Sequence, residues 1–562
     1  MTSPLRSPGW WKNAVVYQVY PRSFMDSDGD GVGDIPGITS RLDHLARLGV
    51  DVLWLSPVYR SPMDDNGYDI SDYDDVDPLF GTLADLDALI AGCHERGIRV
   101  VMDLVVNHTS DEHPWFVESR DPASPKRDWY WWRPPRDGGP PTNWESLFSG
   151  SAWEYDERSG EYYLHIFSRK QPDLNWENPE VRQAVYAMMR RWVDRGVDGF
   201  RMDVIELISK EIQLKDGVPA EGRDLAFPVG VAFGPRLDEY LVEMNLAVGL
   251  SDEHLLTVGE MGASTIDQAR RVTDPARHEL DMLFSFEHVW QDQVAGGSKF
   301  DLAPLHLPDL KGVLARWQTG LADVGWNSLY FENHDQPRAV SRFGDDSPEH
   351  RVASAKTLGT VLHLHRGTPY VYQGQELGMT NAGFTSLEQY ADLEALNYAR
   401  DALARGVVEA EVLRSLAVKG RDNARTPMQW DATEHAGFTT GTPWLPANAN
   451  RDVVNAEAEI ADPDSVFHHY RRLIDLRHTD DVVVEGRFEL LLPDDRALWV
   501  FTRTWDSAML LVLANCSSFA GTVPAGAVPD LAGSEVLLPT HGTSYDLTLR
   551  PWESRIHRLR LS

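Results

Sequence analysis

Residues 83–106 read Leu83-Ala-Asp-Leu-Asp-Ala-Leu-Ile-Ala-Gly-Cys-His-Glu-Arg-Gly-Ile-Arg-Val-Val-Met-Asp-Leu-Val-Val106. Leu83, Leu86, Leu89, Ile90 and Cys93 fall on one side of a helix. Arg96 and Gly97 then supply a cation and a C-cap glycine where that helix should stop. Arg99–Val106 is short and β-branched, as a strand should be, and Asp51–Leu55 is a similar run upstream. Working outward, strand-like runs recur at Ala14–Tyr20, Gly199–Met202, Leu255–Val258, Met282–Phe286, Ser328–Phe331 and Thr368–Tyr372. Helical segments lie between several of them. One opens at Asn178-Pro179, an N-cap followed by a first-turn proline, and carries Val181, Val185, Met188 and Trp192 on one face. Eight strands joined by helices predict a parallel (β/α)8 TIM barrel, with its active site at the C-terminal ends of the strands.

Two stretches break the alternation. Residues from about 108 to 176 are rich in Trp, Pro, Gly and Asp, too long for a structureless loop, and predict a subdomain inserted after strand 3. From about residue 484 short alternating strands, Phe488–Leu492, Ala497–Thr502, Met509–Leu513 and Asp546–Leu549, predict a C-terminal all-β sandwich. The expected organisation is a barrel over 1–107 and 177–483, an inserted subdomain over 108–176 and a β-sandwich over 484–562. The chain of 562 residues is 42% hydrophobic, enough apolar material for a large core. Lys and Arg number 53 against 86 Asp and Glu, so the net charge of −33 argues against a nucleic-acid partner. Cys93 and Cys516 are the two cysteines, and nothing in their placement invokes a disulfide. The start, Met1-Thr-Ser-Pro-Leu-Arg-Ser-Pro8, has no apolar signal core, and no stretch is apolar over the length of a membrane span. A cytoplasmic protein without membrane contact is the expectation.

Four polar segments close candidate barrel strands: Asp103…Asn107-His108, Arg201-Met-Asp203, Glu260-Met261 and Asn333-His334-Asp335. One acidic residue at a strand end means little. Asp203, Glu260 and Asp335 on three strands of one barrel would converge on its axis, which is costly unless chemistry or a metal needs them. Cleavage of a glycosidic bond needs such a set, one carboxylate to attack and one acid to protonate the leaving oxygen. Arg201, two residues before Asp203, points to the same face and would keep it charged. The residues alone divide evenly between this reading and a metal–carboxylate site. His108 and His334 suit a metal ligand, a sugar hydroxyl or a structural role. Asp26-Ser-Asp28-Gly-Asp30-Gly-Val32-Gly-Asp34 spaces oxygens and glycines as a loop for a hard cation does, although Gly37 stands where an EF-hand has glutamate.

Together these segments resemble, in order, four signature regions of glycoside hydrolase family 13, the α-amylase family. Gln171-Pro-Asp-Leu-Asn-Trp176 resembles the fifth in its oligo-1,6-glucosidase form. Tyr17–Phe24, Asp65-Asn-Gly-Tyr68 and Arg421-Asp-Asn-Ala-Arg425-Thr-Pro-Met-Gln-Trp430 are similar to the same α-glucosidase group, so the likeness runs over nearly the whole chain. It implies a retaining, exo-acting α-glucosidase on gluco-oligosaccharides, with Asp203 as nucleophile, Glu260 as general acid and base, and Asp335 gripping sugar hydroxyls. Arg201, His108 and His334 would bind hydroxyls and tune the carboxylates. Tyr68 would stack on the terminal glucose, and Asp65 would hold its far end, paired with Arg425, with Arg421 as rival. Val204, directly after the nucleophile, accompanies α-1,6 linkages in this family. Glu206 and Glu332 stand where many members have Asn, and Glu332 would add negative charge near the entrance. The likeness also implies a structural Ca2+ on Asp26, Asp28, Asp30 and Asp34 with the Val32 carbonyl, and no organic cofactor. A transglucosylase or sucrose isomerase is the nearest rival, but Asp301–Leu310 lacks the charged loop of isomaltulose-forming relatives. A non-catalytic scaffold is remote, because the full triad is present.

Overall fold

The computed structural model describes residues 7–219, 223–542 and 544–561. The start of the chain, read above as lacking a signal core, lies outside the described residues over positions 1–6.

Eight parallel strands form the barrel: β1 Val16–Val19, β2 Val52–Leu55, β3 Arg99–Val105, β4 Gly199–Asp203, β5 Leu256–Glu260, β6 Met282–Phe284, β7 Ser328–Leu329 and β8 Thr368–Tyr372. Their order around the sheet is β6-β5-β4-β3-β2-β1-β8-β7. A parallel bridge between Leu283 and Asn327 joins β6 to β7 and closes the ring. Each of the eight runs read from the sequence is one of these strands. They are short because each is buried on both faces, so the β-branched run can last only as long as the barrel wall is covered.

The helices start and stop where local chemistry directs. Thr82 and Asp85 form a capping box at the head of Leu83–Glu95. Asn178 accepts the Glu180 amide at the head of Pro179–Arg195, and Gly196, at φ 118°, ends that helix. The first helix buries Leu86, Leu89, Ile90 and Cys93, the side read from the sequence. One glycine governs the site directly. A Cβ at Gly199 would lie 2.2 Å from the Leu256 carbonyl oxygen, so only glycine lets β4 approach β5 this closely.

Between β3 and the helix Pro179–Arg195, the chain makes a three-stranded antiparallel sheet from Trp132–Arg133, Trp153–Asp156 and Glu161–Leu164. After β8 a second excursion, from residue 373 to 465, carries the helices Leu393–Ala404, Glu409–Lys419 and Asp422–Arg425 before the chain returns at Val466–Thr479. Beyond it lies a five-stranded antiparallel sheet built from Arg487–Leu490, Leu498–Trp505, Ala508–Asn515, Ser554–Arg560 and Glu535–Leu537, in that order, with a small pair Gly521–Thr522 and Thr548–Leu549. Alternation along the strands splits its two faces. Trp499, Phe501, Leu510 and Val512 pack with Leu358, Val361 and Leu362 of the barrel helix Arg351–Leu364. Leu498, Val500, Leu511 and Leu513 pack with Leu549 of the small pair and with Val523 just beyond it. No described helix is long and apolar enough to cross a membrane.

Candidate active site

The register of three neighbouring strands brings the acids together. Asp103 pairs with Arg201 and Val105 with Asp203 across β3 and β4. Arg201 pairs with Val258 across β4 and β5, and Glu260 stands two residues further on. Residues two apart on a strand share a face, so Asp103, Arg201, Asp203 and Glu260 all point inward at the C-terminal rim.

Arg201 is the hub. Its Nη1 donates to Asp103 Oδ1 at 2.8 Å and to Asp203 Oδ1 at 2.6 Å, and its Nη2 donates to Glu260 Oε2 at 2.5 Å. Asp103 Oδ2 accepts from Tyr68 Oη at 2.9 Å and Trp54 Nε1 at 3.1 Å. Burial pushes Asp103 up to about 6 against the pull of Arg201. Burial also raises Asp203, opposed by Arg201 and reinforced by the carboxylates of Glu260 and Asp103. The expectation that Arg201 alone would keep Asp203 charged is thus corrected: burial outweighs the pull of the guanidinium it shares with two other carboxyls.

Asp335 follows β7 and is the opposite case. Arg425 Nη2 reaches its Oδ1 at 2.8 Å and Arg421 Nη1 at 3.2 Å. Although burial opposes ionisation, the adjacent His334 ring, with Nε2 3.3 Å from Oδ2, and the charges of the two arginines hold Asp335 far below the usual carboxylate range. His334 stacks on Tyr68 with ring centroids 5.1 Å apart, and its Nδ1 meets Gln18 Nε2 at 2.8 Å. Burial lowers His334 to about 3 and His108 to about 4, so both are neutral hydrogen-bonding rings rather than cations. His108 Nε2 lies 3.1 Å from the Tyr68 carbonyl.

A cavity of about 420 Å³ opens above these groups, lined by Asp203, Glu260, Asp335, Asp65, Tyr68, His108 and Val204 among others. Arg201, His334 and Arg425 sit behind that lining. The lining also carries apolar side chains, Phe148 and Phe167 from the inserted segment and Phe227 and Val231 from the loop after β4. A larger open groove of about 710 Å³ around Arg270, Glu287 and Arg316 holds none of the three acids.

Asp65 is held by Arg421, not by Arg425 as the sequence suggested. Arg421 Nη2 meets Asp65 Oδ1 at 3.0 Å. Arg425 sits one helical turn further on and spans Asp335 and Asp392, the latter at 3.1 Å. Sequence reasoning missed Asp392, which lies 2.6 Å from Arg421 and anchors both arginines. Its only local signal is an N-cap, since it also accepts the Ala395 amide at the head of Leu393–Ala404. Gln171 joins the same wall, donating to Asp65 Oδ2 at 3.2 Å. Glu332 is corrected too. It is 2% exposed, bonds Arg338 and the Ala339 amide, and adds no charge at the entrance.

In the Asp26–Asp34 loop, Asp26, Asp28 and Asp34 bring one oxygen each within 4.8 Å of one another. Asp30 does not join that group, and its Oδ1 accepts the Val32 amide at 2.7 Å. No cationic side chain pairs with Asp26, Asp28 or Asp34 among the described residues, and the donors are all oxygen, so the set fits a hard cation.

A family model for the alpha amylase catalytic domain matches residues 18–486. Oligo-1,6-glucosidase of Parageobacillus thermoglucosidasius is 54% identical over 98% of this chain and 99% of its own. Trehalose-6-phosphate hydrolase of Bacillus licheniformis superposes with a TM-score of 0.91 at 46% identity, covering 98% of this chain and 100% of that one. Isomaltulose synthase of Klebsiella sp. LX3 gives a TM-score of 0.93 at 41% identity, over 98% and 100%.

Proposed function

The chain belongs to the α-amylase family of glycoside hydrolases, and from that footing we propose a retaining exo-α-glucosidase that frees α-glucose from the non-reducing end of short gluco-oligosaccharides. The preferred bond is α-1,6, of isomaltose type, with α-1,4 bonds and sucrose as lesser substrates. The observation that carries this reading is the bonding of Asp203 and Glu260 to one guanidinium. That sets the two carboxyls side by side at the rim, where one can attack and the other can protonate across a single glycosidic bond.

Asp203 attacks the anomeric carbon while the glycosidic bond breaks and Glu260 gives its proton to the leaving oxygen. The product of this step is a β-glucosyl ester on Asp203. Water then attacks the same carbon, Glu260 takes the water's proton, and Asp203 leaves with α-glucose released. Asp335, held ionised, supports the oxocarbenium-like sugar and binds its hydroxyls. Tyr68 stacks beneath the ring, and the Asp65–Arg421 pair closes the pocket behind it, which makes attack come from the chain end.

A neutral oligosaccharide fits better than a phosphorylated sugar. Each described cation lining the cavity is already paired: Lys299 with Glu394, Arg342 and Lys419 with Asp292, and Arg421 with Asp65. A phosphate would have to displace one of them. A Ca2+ held by Asp26, Asp28 and Asp34 would stiffen the loop after β1 without reacting.

The test is turnover of 4-nitrophenyl α-glucoside by the D203A variant, set beside wild-type rates on isomaltose, maltose and sucrose. Loss of turnover in D203A and a preference for isomaltose are expected. Surviving turnover sinks the nucleophile, a maltose preference sinks the linkage reading, and isomaltulose as main product from sucrose makes the chain an isomerase.

A further inference from the structure

Two hydrogen bonds cross between the exits of β4 and β5, each from a backbone amide to the other strand's carboxyl. Val204 N–H donates to Glu260 Oε2 at 3.2 Å. Gly262 N–H donates to Glu206 Oε1 at 3.0 Å. Glu206 lies in the single turn Ile205–Leu207, three residues after Asp203, and Gly262 lies two residues after Glu260. The loop behind the nucleophile and the loop behind the acid are therefore tied reciprocally.

Both loops are held where they would not rest unaided. Val204 has φ 36° and ψ 42°, a left-handed conformation that a β-branched residue rarely adopts. A Cβ at Gly262 would lie 2.7 Å from the Phe286 ring, so that turn is pressed flat against its neighbour. We propose that Glu206 is a positioning residue, whose bond to Gly262 holds Glu260 at its working distance from Asp203. The proposal rests on the roles given above to Asp203 and Glu260.

The second oxygen of Glu206 supports this. Oε2 is buried and has no hydrogen-bond partner among the described residues. The charged groups that face Glu206 are Glu260, which repels it, and Arg201, which is committed to three other carboxyls. Burial and Glu260 push Glu206 up to about 8. A neutral carboxyl at working pH uses its carbonyl oxygen as the acceptor for Gly262, and glutamine can copy both that acceptor and the lack of charge.

Misplacing the acid harms leaving groups that need a proton far more than those that do not. The experiment compares kcat/KM of E206A and E206Q on isomaltose and on 2,4-dinitrophenyl α-glucoside. E206A is expected to lose about 30- to 100-fold on isomaltose but less than about threefold on the aryl glucoside, within the 10²–10⁴-fold that general acid catalysis supplies. E206Q should recover both to within a few-fold. An equal loss on both substrates, no loss on isomaltose, or an E206Q as poor as E206A overturns the proposal. Poor folding of E206A would leave the E206Q ratio of the two substrates to decide, since a preserved ratio is required. D203A should abolish turnover of both substrates, so a failure of the nucleophile assignment is read separately.

Discussion

Asp65, Asp335 and Asp392 are buried close together and share Arg421 and Arg425. Asp335 and Asp392 are held low, whereas burial pushes Asp65 up to about 7 against the pull of Arg421 and Arg425. Arg421 serves the far end of the sugar through Asp65, whereas Arg425 serves Asp335 beside the reacting carbon. Removing one partner of a buried, hydrogen-bonded pair costs about 2–5 kcal/mol, largely because the other charge is stranded. R421A should therefore raise KM for isomaltose by well over tenfold. R425A should act mainly on kcat. Initial rates over a range of isomaltose concentrations separate the two, and the reverse pattern would return Asp65 to Arg425. At this scale the convergence of the acids was legible for Asp203 and Glu260, because an acid that ends an apolar strand of a barrel has one place to point. Asp335 lies six residues past its strand and was placed by the motif around it. The choice of arginine was not legible. Two arginines one turn apart on Arg421–Arg425 offer the same chemistry, and their different reach is decided by a short helix whose pose the local residues do not dictate.

The strands were the readable elements. Arg99–Val105 and its seven partners are short and apolar, and the helix ends carry caps at Thr82, Asn178 and Gly196. The excursion over 373–465 was readable as part of the site only at Arg421–Trp430, and there only through the resemblance. Its longer helices look like ordinary amphipathic surface segments, so Asp392, at the head of Leu393–Ala404, was missed. The loop Asp26–Asp34 was legible by its spacing, and three of its four acids converge. Its carboxylates already accept amides, Asp26 from Asp28, Gly29 and Gly31 and Asp34 from Ser27 and Gly37. The loop is therefore shaped before any ion arrives. A bound ion at 100 times its dissociation constant would add about 2.7 kcal/mol. Chelation with EDTA should lower the thermal midpoint by a few degrees and spare kcat at 25 °C. An unchanged midpoint with and without Ca2+ argues against the ion.

At the scale of the whole molecule, the chemistry is confined to one end of the barrel. The C-terminal sheet packs on the outer helix Arg351–Leu364 and contributes none of the residues lining the cavity. Phe501 is fully buried at that junction. F501A should cost about 3–5 kcal/mol of stability, seen as a lower midpoint in denaturant, and leave kcat/KM at 25 °C within twofold. A large activity loss in folded protein would mean that the sheet helps to shape the pocket. The central claim is narrower than the fold: one carboxyl, Asp203, becomes covalently bonded to glucose. Incubation with 5-fluoro-α-glucosyl fluoride, which slows release of the intermediate, followed by intact-mass and peptide mass spectrometry, tests it most directly. One fluoroglucosyl group on the peptide carrying Asp203 is the predicted result; a label on any other residue would contradict it.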